Sequence, residues 1–136
     1  MLVLIAGRNG RRSRHILFCR EKNPEREIWD GFRHGPQAAR ELFGFDAAYS
    51  YADLDKRLPT LLENQPRVCY PFGADAAWDA RVMGWINMVR GKARAGVTAP
   101  AVIADAHALI DEMRLVKDGH EVELMQLADF LIGAVS

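Results

Sequence analysis

The sequence predicts an α/β domain in which helices cover both faces of a mixed β-sheet. Strand-like and helix-like segments alternate along most of the 136 residues, which is the pattern of a layered α/β domain. The pair Asn9-Gly10 lies between the first two apolar runs, so the sheet should begin with an antiparallel hairpin and be mixed. Apolar residues make up 49% of the chain and charged residues 26%, which are ordinary globular values.

The N-terminal segments are predicted as a hairpin and a loop. Residues 2–6 and 15–20 are its two strands, and the arginines around its turn are interpreted as solvated charges. Residues 21–35 are polar and glycine-bearing, which indicates a loop. This loop nevertheless carries three large apolar residues: Ile28, Trp29 and Phe32. Such residues either pack against the core or contact a ligand or partner, so the loop is the best internal candidate for function.

Two helices around a short strand come next. Residues 37–43 suit a helix that ends at the following glycine, and residues 45–49 suit a short strand. Leucines at one-face spacing after Ser50 and Asp53 predict the second helix. Because Pro59 lies inside that helix and lacks a backbone N–H, we expect a kink or a break there.

The second half of the chain predicts two strands and three helical pieces. Residues 67–70 form a strand, and Asp75 caps a helix that runs to Arg90. That helix has a core-type stripe: Trp78, Val82, Trp85 and Val89. Residues 98–103 read as an edge strand interrupted by proline. Two helical pieces joined at residues 117–120 end the chain.

Composition argues against several functional classes. Eighteen basic and eighteen acidic side chains cancel, so neither nucleic acid nor a membrane surface is an expected partner. The apolar N-terminal run is too short for a membrane span and is not a signal peptide. Cys19 and Cys69 are predicted to be free core thiols, which fits a reducing cytoplasm.

No catalytic or metal-binding residue is predicted in this chain. The four histidines are scattered, and no zinc, phosphate-loop, dinucleotide or serine-nucleophile motif is present. Asp105, Asp111 and Glu112 cluster near His107. Carboxylates at the start of a helix are explained by the helix dipole, so we do not assign them acid–base chemistry.

Two segments carry patterns of residues that resemble those of a known family. The first is an Arg-x-x-Lys pair followed by Glu-Val and an apolar helix, at Arg114, Lys117, Glu121 and Val122. The second is Glu27-Ile28-Trp29 followed by Gly31, Arg33 and Gly35. The first resembles the domain junction of the Xaa-Pro aminopeptidase P family, and the second is similar to a Glu-Ile-Trp-x-Gly-x-x-x-Gly segment of its bacterial members. The arginine-rich hairpin fits the same family.

The resemblance implies a creatinase/prolidase-type N-terminal domain over residues 1–113. Residues 114–136 would be the linker and first helix of a "pita-bread" catalytic domain. The complete enzyme would remove an N-terminal residue that precedes proline, using two metal ions, usually manganese. The family's five metal ligands belong to the later domain, so this chain alone is expected to bind no metal and to be inactive.

Two residue roles follow from the resemblance. Trp29 matches a tryptophan that covers a neighbouring subunit's active site, and Arg114 matches an arginine in a polar network beside the substrate. The implied partners are the catalytic domain, sister subunits of a homo-oligomer and a proline-containing peptide, in the cytoplasm. His34 departs from the family pattern, which often has an arginine there.

Two functional hypotheses stay open. The chain is either a non-catalytic part of an Xaa-Pro aminopeptidase that contributes to oligomerisation and substrate access, or a stand-alone interaction module without a peptidase role. An unrelated α/β enzyme is a weaker third. Because an apolar strand opens the chain and an apolar helix closes it, we expect truncation at both ends. The closing helix, with the stripe Leu124, Ala128, Leu131 and Val135, would belong to the absent catalytic domain.

Overall fold

A computed structural model describes the backbone of residues 1–135 and the side chains of residues 1–127. In this part of the chain, strands form two ladders, a three-stranded sheet in the order β1-β2-β3 and a two-stranded sheet of β4 and β5. The strands are β1 (Leu2–Ile5), β2 (Arg14–Cys19), β3 (Ala47–Ser50), β4 (Arg67–Tyr70) and β5 (Val102–Asp105).

The three-stranded sheet is mixed. β1 runs antiparallel to β2, with Leu2 opposite Leu17, whereas β2 runs parallel to β3, with Ile16 opposite Ala47. β4 and β5 are parallel. The predicted α/β class with a mixed sheet is confirmed, although the sequence did not predict the division into two ladders.

The hairpin between β1 and β2 is confirmed. Its turn residues Asn9 and Gly10 have φ values of 50° and 78°, the positive range that an Asn-Gly pair tolerates. The Arg11 amide donates to the Arg8 carbonyl at 3.0 Å. Short-range turn chemistry therefore sets the antiparallel pairing.

Six α-helices connect and follow the strands in the described chain. They are α1 (Pro24–Asp30), α2 (Gly35–Phe43), α3 (Leu54–Leu62), α4 (Ala76–Arg90), α5 (His107–Leu115) and α6 (Gly119–Val135). The helix capped by Asp75 is confirmed, since its carboxylate accepts from the Trp78 amide at 3.0 Å. None of the helices in the described residues is long and apolar enough to cross a membrane.

Three sequence expectations about these elements are wrong. Residues 21–35 contain α1, because Asn23 and Pro24 start a short helix that lacks apolar periodicity. The break at Pro59 is wrong, because α3 continues through this residue and only the Asp55 carbonyl loses its intrahelical donor. The last strand begins at Val102 instead of residue 98, and the Pro66 carbonyl accepts the amides of Ala101 and Val102.

The core lies between the mixed sheet, α3 and α4. Its buried side chains are Ile16, Phe18, Leu54, Leu58, Leu62, Val82, Trp85, Ile86 and Val89. The predicted stripe on α4 therefore faces the core, with Trp78 partly buried. Both cysteines are free, but the core assignment is wrong for Cys69, which is exposed. Cys19 is half-buried, and this burial raises the pKa of its thiol.

A polar contact fastens α3 to α4 at the edge of the core. The Arg81 guanidinium donates to both carboxylate oxygens of Asp55, at 2.8 and 2.9 Å. The Trp85 indole N–H donates to the same carboxylate at 2.8 Å. The hydrogen bonds from Arg81, and then that from Trp85, lower the pKa of Asp55. This carboxylate therefore satisfies a buried indole and holds an ion pair at once.

Replacing Asp55 by alanine is expected to lower the free energy of unfolding by about 1–2 kcal/mol, because the Trp85 N–H loses its acceptor. Loss of the ion pair with Arg81 should add little to this destabilisation, because the Asp55 side chain is 64% exposed and solvent screens the two charges. Asp55→Asn keeps an acceptor for the indole and should therefore lose less stability than Asp55→Ala. Urea unfolding at neutral pH measures both variants.

The same carboxylate makes stability depend on pH. Because the pKa of Asp55 is lower in the folded than in the unfolded state, its contribution is complete above the ordinary value of about 4. The contribution is lost as the pH falls through the folded pKa. The difference in free energy of unfolding between the native chain and Asp55→Asn should therefore become smaller in acid. A difference that stays constant with pH would contradict this role.

Candidate functional site

The tryptophan segment lies on α1 and on the loop that leads to α2. Asn23 caps α1, because its side-chain oxygen accepts from the Arg26 amide at 3.1 Å. The helix ends at Gly31, whose amide donates to the Glu27 carbonyl at 3.1 Å. α1 contains no buried residue. Its position therefore depends on a few side-chain contacts rather than on core packing.

Lys22 supplies several of those contacts. Its ammonium nitrogen lies 3.6 Å from a Glu27 carboxylate oxygen and 4.5 Å from the centroid of the Phe32 ring. Gly35 has φ +75°, and a Cβ added there would lie 3.2 Å from the Lys22 backbone nitrogen. The close approach and the positive φ both favour glycine at this position. Glu27 and Gly35 of the family pattern thus serve to brace α1.

A row of aromatic rings ties the loop to α2. The His34 ring packs edge-on between Phe32 and Phe43, with centroid distances of 4.8 and 5.4 Å. Phe43 lies 6.4 Å from Phe45 in turn. The family pattern often has an arginine where this chain has His34, and here the position makes aromatic contacts.

Trp29 projects from the braced helix into solvent. Its relative exposure is 87%, and that of the preceding Ile28 is 80%. Among residues 1–127, no aromatic ring and no cation packs on the Trp29 indole. Of the two interpretations of this segment, packing against the core is therefore wrong for Trp29. An aromatic offered to a ligand or partner fits the geometry.

A polar cleft runs along one side of α1. This basic cleft is lined by Arg20, Glu21, Lys22, Asn23, Arg26, Asp30 and Arg33. Four of these side chains are cationic and two are carboxylates, so the cleft favours anions. Arg33 pairs with Asp30. The cleft could not be predicted from a loop at residues 21–35, although Asn23-Pro24 is a recognised helix-start signal that could have indicated α1.

Arg114 lies in the last turn of α5 and is exposed. Its guanidinium forms no ion pair within the part of the chain whose side chains are described. No hydrogen bond or ring contact among those residues joins it to Trp29. The two predicted substrate residues therefore make no contact of these kinds with each other in the part of the chain whose side chains are described.

Part of the junction pattern that includes Arg114 forms the N-terminal cap of α6. The Asp118 amide donates to the Glu121 carboxylate at 2.9 Å, and the Glu121 amide donates to the Asp118 carboxylate at 2.8 Å. This is a reciprocal capping box. Glu121 of the family pattern thus has a local structural role. Ala128, Leu131 and Val135 of the predicted apolar stripe lie outside the described side chains.

The acidic cluster near His107 has a structural explanation at Asp105. Its carboxylate accepts from the His107 amide at 3.0 Å and lies 2.7 Å from the ring Nδ1. The amide contact is the main reason that the pKa of Asp105 is lowered. Among the residues that the structure describes, no three His, Cys, Asp or Glu side chains form a metal-type group.

Similarity to known proteins covers most of the chain. Residues 1–70 match the family described as "Aminopeptidase P, N-terminal domain". The Xaa-Pro aminopeptidase of Escherichia coli is 32% identical over 94% of this chain and 29% of its own length. The Xaa-Pro aminopeptidase 3 of Homo sapiens is 30% identical over 83% of this chain and 22% of its own length.

Solved structures agree with the sequence comparison. The Pseudomonas aeruginosa aminopeptidase PepP matches with a TM-score of 0.80 and 42% identity, over 91% of this chain and 28% of that one. A variant of Escherichia coli aminopeptidase P matches with a TM-score of 0.84 and 32% identity, over 93% of this chain and 29% of that one. The chain thus spans less than a third of the length of these relatives. By sequence and by fold, it belongs to the aminopeptidase P N-terminal domain family.

Proposed function

We propose that this chain is the N-terminal, non-catalytic portion of a metal-dependent Xaa-Pro aminopeptidase and contributes to oligomerisation and substrate access. The observation that carries the proposal is the exposure of Trp29. Its indole extends into solvent from a helix that is held in place by contacts of Lys22, Glu27 and Gly35. A large apolar ring held in solvent by a rigid support suits contact with an apolar partner or peptide. The relatives named as Xaa-Pro aminopeptidases supply the reaction class.

In this proposal, residues 1–113 form the N-terminal domain and residues 114–136 lead into the catalytic portion. Exposed apolar side chains of α5 and α6 support this division: Leu109, Ile110, Met113, Leu115, Val122, Leu124, Met125 and Leu127. Such a face is expected where another domain packs. Arg114, at the end of α5, would reach the substrate from this side, because its guanidinium can hold a carbonyl or carboxylate.

Metal chemistry is assigned to residues outside this chain. The side chains of the described residues offer no group that fits a two-metal site. The catalytic portion would hold two metal ions, manganese in this proposal, and these would supply Lewis-acid activation of water for cleavage of the bond before proline. The proposed domain would act on access to that site, in the cytoplasm, within a homo-oligomer.

A stand-alone protein-interaction module is the second candidate. It is favoured by the same exposed apolar residues on α5 and by the exposure of Ile28 and Trp29, which could serve any protein partner. In this alternative, the domain has no peptidase role.

One assay separates the two candidates. The purified chain is incubated with Mn²⁺ and an X-Pro-Y peptide, first alone and then with the separately produced catalytic portion. No cleavage is expected from the chain alone, whereas addition of the chain should change the rate or length selectivity of the catalytic portion. Cleavage by the chain alone would overturn the non-catalytic assignment, and a catalytic portion indifferent to the chain would favour the interaction module.

A further inference from the structure

We propose that the basic cleft beside α1 binds the C-terminal carboxylate of short peptide substrates, with Arg26 as the residue that selects it. This inference rests on the proposed function, because it assumes that a peptide lies against Trp29. It adds a chemical requirement to that function: the preferred substrates are short X-Pro peptides that end in a free carboxylate close to the proline.

The helix geometry places the cleft next to the indole. Arg26 and Asp30 are one turn apart on α1, and both line the cleft. Trp29 follows Arg26 by three residues, so their side chains are neighbours on the helix surface. Trp29 does not line the cleft itself, but this spacing puts it on the helix surface next to Arg26, which does.

The charges of the cleft are unevenly neutralised. Arg33 is paired with Asp30, and the Lys22 ammonium lies 3.6 Å from Glu27. Within residues 1–127, the guanidinium groups of Arg20 and Arg26 form no ion pair or side-chain hydrogen bond. Glu21, the remaining carboxylate of the lining, can offset only one of these two arginines, so one positive charge is in excess. An anion in the cleft can therefore pair with one of these arginines without first disrupting an existing salt bridge.

The spacing suits the end of a short peptide. An extended chain advances about 3.4 Å per residue. A peptide whose proline lies under Trp29 therefore brings the carboxylate of the next one or two residues within reach of a long arginine side chain. A guanidinium recognises a carboxylate through paired hydrogen bonds, whereas a C-terminal amide offers a neutral group that lacks this charge assistance.

The test compares peptide acids with their C-terminal amides in the complete enzyme that contains this domain. Native, Arg26→Gln and Arg26→Lys enzymes are assayed on X-Pro-Y and X-Pro-Y-NH2. Arg67→Gln is the matched control, since Arg67 is exposed on β4 and is not part of the cleft. Thermal melting checks that each variant is folded.

The native enzyme is expected to prefer the acid, and Arg26→Gln should reduce that preference by about two- to fivefold, the range of an exposed ion pair. The loss should appear in KM and not in kcat. Arg26→Lys should retain part of the preference, and Arg67→Gln should retain all of it. Added salt should weaken the preference of the native enzyme, because salt screens exposed charges.

Two other results have distinct meanings. An enzyme that cleaves X-Pro peptides without an acid preference, or in which Arg26→Gln slows acid and amide equally, would overturn the carboxylate site and leave the proposed function intact. A folded complete enzyme that cleaves no X-Pro peptide would overturn the proposed function, and this inference with it.

Discussion

Replacement of Phe18 by alanine is expected to lower the free energy of unfolding by about 3–5 kcal/mol, the usual cost of a large cavity in a core. Phe18 is completely buried on β2, the central strand of the mixed sheet, and its ring lies 5.6 Å from that of Tyr49 on β3. The cavity would open between that sheet and the helices that cover it. Because small domains are stable by only about 5–15 kcal/mol, the variant should be close to unfolded.

Chemical denaturation followed by circular dichroism measures this loss. Phe72→Ala is the matched control, since it removes the same ring from a side chain that is 45% exposed. We expect this control to cost about 1 kcal/mol or less, as for most surface substitutions. Similar losses in both variants would show that the mixed sheet is not the centre of the fold.

The parts of the fold set by neighbouring residues could be predicted from the sequence. The Asn9-Gly10 turn fixes its own hairpin, and Asp75 caps α4 through a contact only three residues away. The division of the strands into two ladders could not be predicted, because β2 joins β3 and β4 joins β5 across long connections. The start of β5 depends on the Pro66 carbonyl, which is distant in sequence.

The candidate site shows the same division between local and distant determinants. The family pattern identifies Trp29, but residues 21–35 do not show α1 in the sequence, because a helix of seven residues without a buried face has no apolar periodicity. Without α1, the sequence gives no sign that Arg26 and Trp29 are neighbours on one helix surface. Lys22 contacts Glu27 within α1, and it also contacts Phe32 and Gly35, which lie beyond the far end of that helix.

Because α1 is held in place by contacts that do not involve the indole, a substitution at Trp29 should affect function without affecting folding. The indole contacts little of its own domain, so its removal should leave the stability of the fold within about 0.5 kcal/mol of the native value, as for other surface sites. A change at Lys22, by contrast, would alter both the support and any contact made by the indole. Trp29→Ala is therefore the substitution that separates substrate access from folding.

In the complete enzyme, Trp29→Ala is expected to shift the ratio of kcat/KM between long and short X-Pro peptides by about tenfold, the effect of losing one aromatic anchor. The direction follows from geometry: a ring that covers the substrate path restricts long peptides, so its loss should raise their relative rate. Trp29→Phe should lie between the two, and Ile28→Ala, an equally exposed neighbour, should change the ratio little. Thermal melting of each variant accompanies the kinetics. If Trp29→Ala lost stability and activity in parallel, the indole would be a packing residue in the assembled enzyme, and the role in substrate access would be wrong.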